Sequence, residues 1–142
     1  MTQTPIQRER LERTADVLER WEEARLQAVL PLTTFDLVVW KEERKCGYAA
    51  CAVGAICLLP WFREQGLVLG NDGWPTFAGL HGFRAVAEFF GFKGREEERL
   101  FHQFWYEVKP TPQEVAQRIR TWLADNPIPQ PLAVPTFDGQ LV

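Results

Sequence analysis

Apolar residues recur at helical spacing through most of the chain. Leu11, Ala15, Leu18 and Trp21 lie within a segment rich in Arg and Glu, and this pattern predicts one long amphipathic helix over residues 5–30. The run "AACAVGAICLL" is apolar almost all round, which is typical of a buried helix. Small residues in this run, such as Gly54, allow a neighbouring element to approach closely.

The second half of the chain carries three further helical patterns, "HGFRAVAEFFGF", "REEERLFHQFWYEV" and "TPQEVAQRIRTWLAD". Gly91 is a plausible stop for the first of these helices. Thr111 and Glu114 have the spacing of a capping box at the start of the last helix. Before these helices, Thr33 or Thr34 is expected to cap a short helical turn.

A turn signal, "NDG", separates two short apolar stretches and predicts a two-stranded hairpin at about 67–77, in which Pro75 restricts the second strand to a sheet edge. Taken together, these patterns predict a mostly α protein: a single-domain helical bundle over residues 1–126 with one small β-hairpin. Residues 127–142 form a Pro-rich C-terminal tail, for which we expect an extended strap over the body.

Charge and composition narrow the function classes. The net charge of −3 lacks the excess of basic residues that nucleic-acid binders show, so no nucleic-acid partner is expected. The polar N-terminus does not resemble a signal peptide, and no apolar run approaches the ~20 residues of a membrane span. We therefore expect no membrane partner and a cytoplasmic location, where the three cysteines are free thiols.

The cysteines are the first candidate site, and they allow three interpretations. Cys46 is a candidate nucleophile if a helix begins beside it, with His81 as its base, because a helix N-terminus lowers a thiol pKa. Such a site would make the protein a cysteine-dependent enzyme or a redox-sensitive regulator. Cys46 and Cys51 are alternatively ligands of a small zinc-stabilised module, although their spacing is not that of a zinc knuckle. Packing is the third interpretation, and it suits Cys51 and Cys57 best.

A set of motifs surrounds these cysteines: F-D-x-x-x-W, then C-G-x-x-x-C-x-x-G-A, then P-x-F-x-G, and F-F-G at a helix end. The matching positions are Phe35, Asp36, Trp40, Cys46, Gly47, Cys51, Gly54, Ala55, Pro75, Phe77, Gly79, Phe89, Phe90 and Gly91. This set resembles a family of small uncharacterised bacterial and phage-borne proteins, over roughly residues 35–101. The family's motifs are F-D-M-x-x-W, then C-G-T-x-x-C-x-x-G-x-A, then P-x-F-x-G, with F-F-G at a helix end. The family's usual Thr after Cys-Gly is Tyr48 here. The resemblance implies a common structural core over these residues, and it supplies no function.

The second candidate site is aromatic. The chain has six Trp and ten Phe, and Trp61, Phe62, Trp74 and Phe77 flank or enter the predicted hairpin. Aromatic residues are enriched at protein interfaces, and no nucleotide, cofactor or hydrolase motif is present in the sequence. The sequence therefore favours a small accessory or regulatory protein that binds another protein, with no cofactor, and it leaves a homodimer open.

Overall fold

The computed structural model describes residues 3–102 and 105–127. Within them the chain forms seven α-helices and six short strands, so the fold is mixed α/β. The prediction of a mostly helical bundle with one hairpin was wrong, because two three-stranded sheets are present. The predicted C-terminal strap lies outside the described residues, apart from Pro127.

The N-terminal segment is shorter and more broken than predicted. Helix α1 spans Pro5–Glu19, helix α2 spans Trp21–Ala24, and a 3-10 turn covers Arg25–Gln27. Thr4 starts α1 with a capping box that includes Gln7, a signal that the sequence pattern already contained. After the break at Arg20, Trp21 is buried against the ring of Phe35, with centroids 5.4 Å apart.

The first sheet was not predicted: its first strand replaces the helical turn expected at Thr33 or Thr34, and its last strand includes the start of the predicted buried helix. Strands β1 (Leu32–Phe35), β2 (Glu42–Arg44) and β3 (Gly47–Ala50) are arranged in the order β1-β3-β2. The central strand β3 pairs parallel with β1 and antiparallel with β2. The error has a physical cause, since a short apolar run such as the one in β3 does not distinguish a buried strand from a buried helix. The charged strand β2 is exposed at the sheet edge, where charge opposes further strand pairing.

The rest of the apolar run forms short helices. Helix α3 spans Ala52–Ile56 and helix α4 spans Pro60–Glu64. Every residue of α3 is buried, as the sequence pattern indicated. The main chain of Trp40 lies against α3 at Gly54: a Cβ atom built on Gly54 would lie 1.6 Å from the carbonyl oxygen of Trp40. Only glycine allows the backbone of residue 40 to lie against α3 in this way.

The predicted hairpin is confirmed and extended by one strand. Strand β4 (Val68–Leu69) pairs antiparallel with β5 (Pro75–Phe77), which pairs antiparallel with β6 (Leu80–His81). The second strand is therefore central in its sheet, and the prediction that Pro75 keeps it at an edge was wrong. Pro75 is tolerated because it is the first residue of its strand, where proline does not interrupt the ladder.

The C-terminal helices are α5 (Phe83–Phe90), α6 (Glu96–Phe101) and α7 (Pro112–Asp125). Gly91 ends α5 in the left-handed conformation, and the capping box of Thr111 and Glu114 starts α7; both predictions are confirmed. One apolar core joins α1, α3, α5, α6 and α7 and contains the largest fully buried side chains. These are Phe89, Phe90, Phe101, Leu11, Leu18 and Ile56.

Candidate functional site

An apolar concavity with aromatic walls opens between the first sheet, β5 and the helices α5 and α6. Its volume is about 270 Å³. We call it the aromatic pocket; it is lined by Leu37, Val38, Val39, Trp40, Cys51, Trp74, Phe83, Phe101 and His102. Among the described residues, its wall holds no Lys, Arg, Asp or Glu side chain. Such a surface offers hydrophobic contact and no fixed charge to a ligand.

One wall of the aromatic pocket is the loop 36–40, which Asp36 holds in place. The Asp36 carboxylate accepts the backbone N–H of Val38 at 3.1 Å through Oδ1 and the Arg44 guanidinium at 2.9 Å through Oδ2. The hydrogen bond from Arg44 keeps the pKa of Asp36 below its usual range, against the opposing effect of burial. Asp36 is therefore an ionised anchor for the loop that carries Val38 and Trp40.

Cys51 forms part of the floor of the pocket. Its Sγ accepts the backbone N–H of Gly54 at 3.3 Å and so caps the start of α3, while its own N–H donates to the Val39 carbonyl at 2.8 Å. Burial raises the pKa of Cys51 to about 11. The thiol is therefore protonated at neutral pH, and its geometry is that of a helix cap that joins α3 to the loop 36–40.

The rim of the pocket carries Trp74, of which 46 % is exposed. The indole stacks on the imidazole of His81, with centroids 5.3 Å apart and planes 7° apart. Asp72 holds both residues, since Oδ1 accepts the Trp74 backbone N–H at 3.0 Å and Oδ2 lies 2.6 Å from Nε2 of His81. On the inner side, the Trp74 ring lies 6.1 Å from the ring of Trp40. The rim tryptophan is thus positioned from two sides.

Further exposed apolar side chains lie beside the pocket. Val38, in the wall, is 62 % exposed. Trp105 donates its backbone N–H to the carbonyl of His102, and Val108 precedes Lys109, whose ammonium lies 3.8 Å from the Asp36 carboxylate. Both Trp105 and Val108 are also among the exposed large hydrophobic residues. Val38 therefore extends the apolar surface at the pocket wall, and Trp105 and Val108 are exposed apolar residues in the segment that follows His102.

The structure does not bring Cys46 and His81 together. Cys46 lies in the exposed turn between β2 and β3, where Thr33 Oγ1 is 3.6 Å from its Sγ, whereas His81 lies in β6 and contacts Asp72 and Trp74. Hydrogen bonds from Thr33 and then Thr34 lower the pKa of Cys46. The helix N-terminus that the sequence argument required is absent there, because a strand follows Cys46. A catalytic role for this pair stays a prediction.

The two cysteines of the zinc hypothesis lie at opposite ends of β3. A strand rises about 3.3 Å per residue, so the five steps from Cys46 to Cys51 place their Cα atoms roughly 16 Å apart. Cys46 is exposed and Cys51 is buried. Across residues 3–102 and 105–127, no group of three or more His, Cys, Asp or Glu side chains is arranged to hold a metal ion.

The four aromatic residues predicted to bind a partner occupy three different environments. Phe62 is buried in the core, and Trp61 is partly buried beside it, with the Arg13 guanidinium 4.2 Å from the Trp61 ring. Phe77 packs edge-on against Phe89, with centroids 5.1 Å apart. Of the four, Trp74 is the one that lines the aromatic pocket.

Sequence reasoning assigned no binding role to Val38, Trp40, Phe83 or His102. Phe83 lies 4.9 Å from Trp40 and 5.9 Å from His102, ring centroid to ring centroid, so these residues form the inner part of the pocket. They come from three separate segments of the chain, and no local pattern marks them as neighbours. The sequence alone shows only that two apolar residues, Val38 and Val39, follow Asp36, and it does not show that Val38 is exposed.

Comparisons with family models, with curated proteins and with solved structures find no significant match to this chain. The resemblance to small phage-borne proteins therefore stays a prediction. In the described part of the chain, none of the helices is long and apolar enough to cross a membrane. The candidate site is accordingly interpreted from its own geometry.

Proposed function

We propose that the protein binds another protein and that the aromatic pocket receives one large apolar side chain of that partner. The observation that carries the proposal is a surface-open pocket of about 270 Å³ whose described wall is apolar and aromatic, with half-exposed Trp74 on its rim. Interface hot spots characteristically consist of such a pocket filled by an aliphatic or aromatic anchor.

The surroundings of the pocket favour a protein partner over a small polar metabolite. Val38, which lines the cavity, is also exposed at the surface, so a partner protein whose anchor fills the cavity would bury Val38 as well. Protein interfaces typically surround a central anchor with contacts that contribute little binding free energy themselves but exclude water from the anchor. The absence of charged side chains from the described wall disfavours an ionic ligand, which needs a paired charge when it is buried.

Peptide display tests this proposal. A random 12-residue library is selected on the wild-type protein alone, with no depletion step, and the affinity of each enriched peptide is then measured for the wild type and for the Trp74→Ala variant. We expect selected peptides that share one Leu, Phe, Trp or Met, and whose affinity falls at least about tenfold in Trp74→Ala, the loss of one buried aromatic contact. Amide chemical shifts should change in the loop 36–40 and around Phe83 when a selected peptide is added.

Leu26→Ala provides the matched control, because Leu26 is a large apolar side chain that is 71 % exposed and does not line the aromatic pocket. It should leave peptide affinity unchanged. The proposal fails if peptides are recovered that bind wild type and Trp74→Ala equally, if they show no shared apolar residue, or if no peptide is enriched on the wild-type protein.

A further inference from the structure

A second concavity, on another side of α5, contains a buried carboxylate without a partner. It lies between the N-terminal part of α1, the C-terminal part of α5 and the start of α6, and its volume is about 360 Å³. We call it the polar pocket; it is lined by Gln7, Leu80, Arg84, Ala87, Glu88, Gly91, Phe92, Lys93, Gly94 and Glu97. This volume is within the range of sites that hold small ligands.

Glu97 is the unusual residue of the polar pocket. It is only 7 % exposed, and its Oε1 atom is buried with no hydrogen-bond partner in the described structure. Burial raises the pKa of Glu97, against the opposing effect of a backbone hydrogen bond at the same residue, and the Glu98 and Glu96 carboxylates raise it further, against the charge of Arg95. A buried carboxylate normally has a donor or a cation beside it, because an unpaired one costs folding free energy.

The two carboxylates beside Glu97 in the sequence are both engaged elsewhere. Glu96 accepts the Lys93 backbone N–H at 2.8 Å and the Trp122 indole N–H at 3.2 Å. Glu98 pairs with Arg95 at 2.9 Å. The row of three glutamates is thus resolved into two structural residues and one, Glu97, that lines a cavity without a partner.

The same pocket carries two basic side chains. Arg84 and Lys93 both line it, both are exposed, and neither has a carboxylate within ion-pair distance among the residues that the structure describes. Gln7, by contrast, is engaged within the fold: its Oε1 accepts the Thr4 N–H and its Nε2 donates to the Glu88 carbonyl. The charged side chains that line the pocket are therefore two cations and two carboxylates, of which Glu97 is buried and Glu88 is exposed to water.

We propose that the polar pocket binds a small zwitterion of amino-acid size, with its protonated amine on Glu97 and its carboxylate on Arg84 and Lys93. A ligand that carries an amine alone would be repelled by the two cations and would gain no contact with them, and a ligand that carries an acid alone would leave Glu97 buried without a donor. A metal ion is disfavoured because two cations line the pocket and because, among the described residues, no group of three or more His, Cys, Asp or Glu side chains is arranged to hold one. This inference is independent of the proposed protein-binding function, which uses a different cavity.

A ladder of ω-amino acids tests the proposal and measures the spacing between the two recognised charges. Glycine, β-alanine, 4-aminobutyrate, 5-aminopentanoate and 6-aminohexanoate are titrated into the full-length protein by calorimetry, with butylamine and butyrate as single-charge probes. We expect saturable binding that is strongest at one spacing, and at least about tenfold weaker binding of both single-charge probes, because each charge-assisted hydrogen bond contributes that much. Amide shifts at Gly91 and Gly94 should report the bound ligand.

Variants assign the two ends of the ligand. Glu97→Gln should weaken the best ligand at least about tenfold and remove the preference for it over butyrate. Arg84→Gln or Lys93→Gln should remove the preference over butylamine. Glu98→Gln is the matched control, since Glu98 lies on the same helix and pairs with Arg95, and it should leave the affinity unchanged.

Circular dichroism is measured on every variant, so that a loss of ligand binding is distinguished from a loss of folding. The proposal is overturned if no member of the ladder binds the wild-type protein, or if Glu97→Gln folds and binds the best ligand unchanged. It is also overturned if butylamine binds as tightly as the best zwitterion, because that result would assign a site for a cation alone.

Discussion

Gly54→Ala is the substitution for which the structure gives the sharpest expectation. The new Cβ would lie 1.6 Å from the carbonyl oxygen of Trp40, whereas real Cβ contacts are essentially never shorter than 3.0 Å. The two backbones must therefore separate by about 1.4 Å, since 3.0 minus 1.6 is 1.4. The obstacle is a main-chain carbonyl, so no side-chain rotation relieves it. The loop 36–40 has to move away from α3.

The magnitude follows from three contributions. Overpacking of a buried site costs about 1–3 kcal/mol, and the displacement weakens the hydrogen bond from Cys51 to the Val39 carbonyl, which contributes about 1 kcal/mol. Replacing glycine by alanine within a helix returns up to about 1 kcal/mol. We therefore expect Gly54→Ala to lower the free energy of unfolding by about 1–3 kcal/mol, an appreciable part of the ~5–15 kcal/mol of an ordinary domain.

Urea unfolding followed by circular dichroism measures this loss as a lower midpoint at constant slope. Gly94→Ala is the control, because Gly94 has a φ of +65° and nothing lies within 4 Å of a Cβ built on it. This substitution should lower the free energy of unfolding only by the roughly 1 kcal/mol that an alanine in the left-handed conformation costs. Because Trp40 lines the aromatic pocket, Gly54→Ala should also weaken binding of the selected peptides. A Gly54→Ala protein as stable as the wild type would refute the inferred close approach.

Three further predictions concern titrating groups. Iodoacetamide should alkylate Cys46 in the native protein with an apparent pKa below that of an ordinary thiol, whereas Cys51 and Cys57 should react only on unfolding because burial raises their pKa. Peptide mass spectrometry between about pH 6 and pH 10 measures the labelling of each cysteine, and labelling of Cys51 in the native protein at neutral pH would contradict the prediction. Folding lowers the pKa of Asp36, so its contribution to the free energy of unfolding is present above the unfolded pKa of about 4 and is lost as pH falls through the folded pKa. Asp36→Asn should lower the free energy of urea unfolding by about 1–3 kcal/mol at pH 7 and by less at pH 3. A loss that does not depend on pH would contradict the role of Asp36 as an ionised anchor. Folding raises the pKa of Glu97, so its contribution to the free energy of unfolding is complete below the unfolded pKa of about 4.3 and is lost as pH rises through the folded pKa. Glu97→Gln should therefore stabilise the ligand-free protein by about 1 kcal/mol at pH 7 and by little at pH 3. Destabilisation by Glu97→Gln at pH 7 would contradict this prediction.

The elements that sequence reasoning predicted correctly are those specified by neighbouring residues. The capping box of Thr111 and Glu114 and the glycine stop at Gly91 are local signals, and both occur where predicted. The first sheet was missed because its stability comes from pairing between distant segments, such as Leu32 with Tyr48, which no local pattern encodes. The apolar run around Cys51 is compatible with either structure, and tertiary contacts decide that it begins as a strand and continues as a helix.

The candidate sites were less predictable than the helices, because each is assembled from several segments. Trp74 was correctly singled out as a residue near the hairpin, but the partners that make it part of a pocket, Trp40 and Phe83, come from elsewhere in the chain. The isolation of Glu97 is invisible in the sequence, where it stands between two other glutamates. Only the contacts of Glu96 and Glu98 show which carboxylate of the three lacks a partner.

Helix α5 separates the two proposed sites, with Phe83 at its start in the aromatic pocket and Ala87 and Glu88 near its end in the polar pocket. The sites make different demands on the fold. An apolar pocket open to water costs little stability, whereas a buried, unpaired carboxylate lowers it, and proteins tolerate such a residue where binding requires it. Stabilisation of the ligand-free protein by Glu97→Gln, together with loss of zwitterion binding, would therefore identify Glu97 as a residue whose unfavourable burial serves recognition.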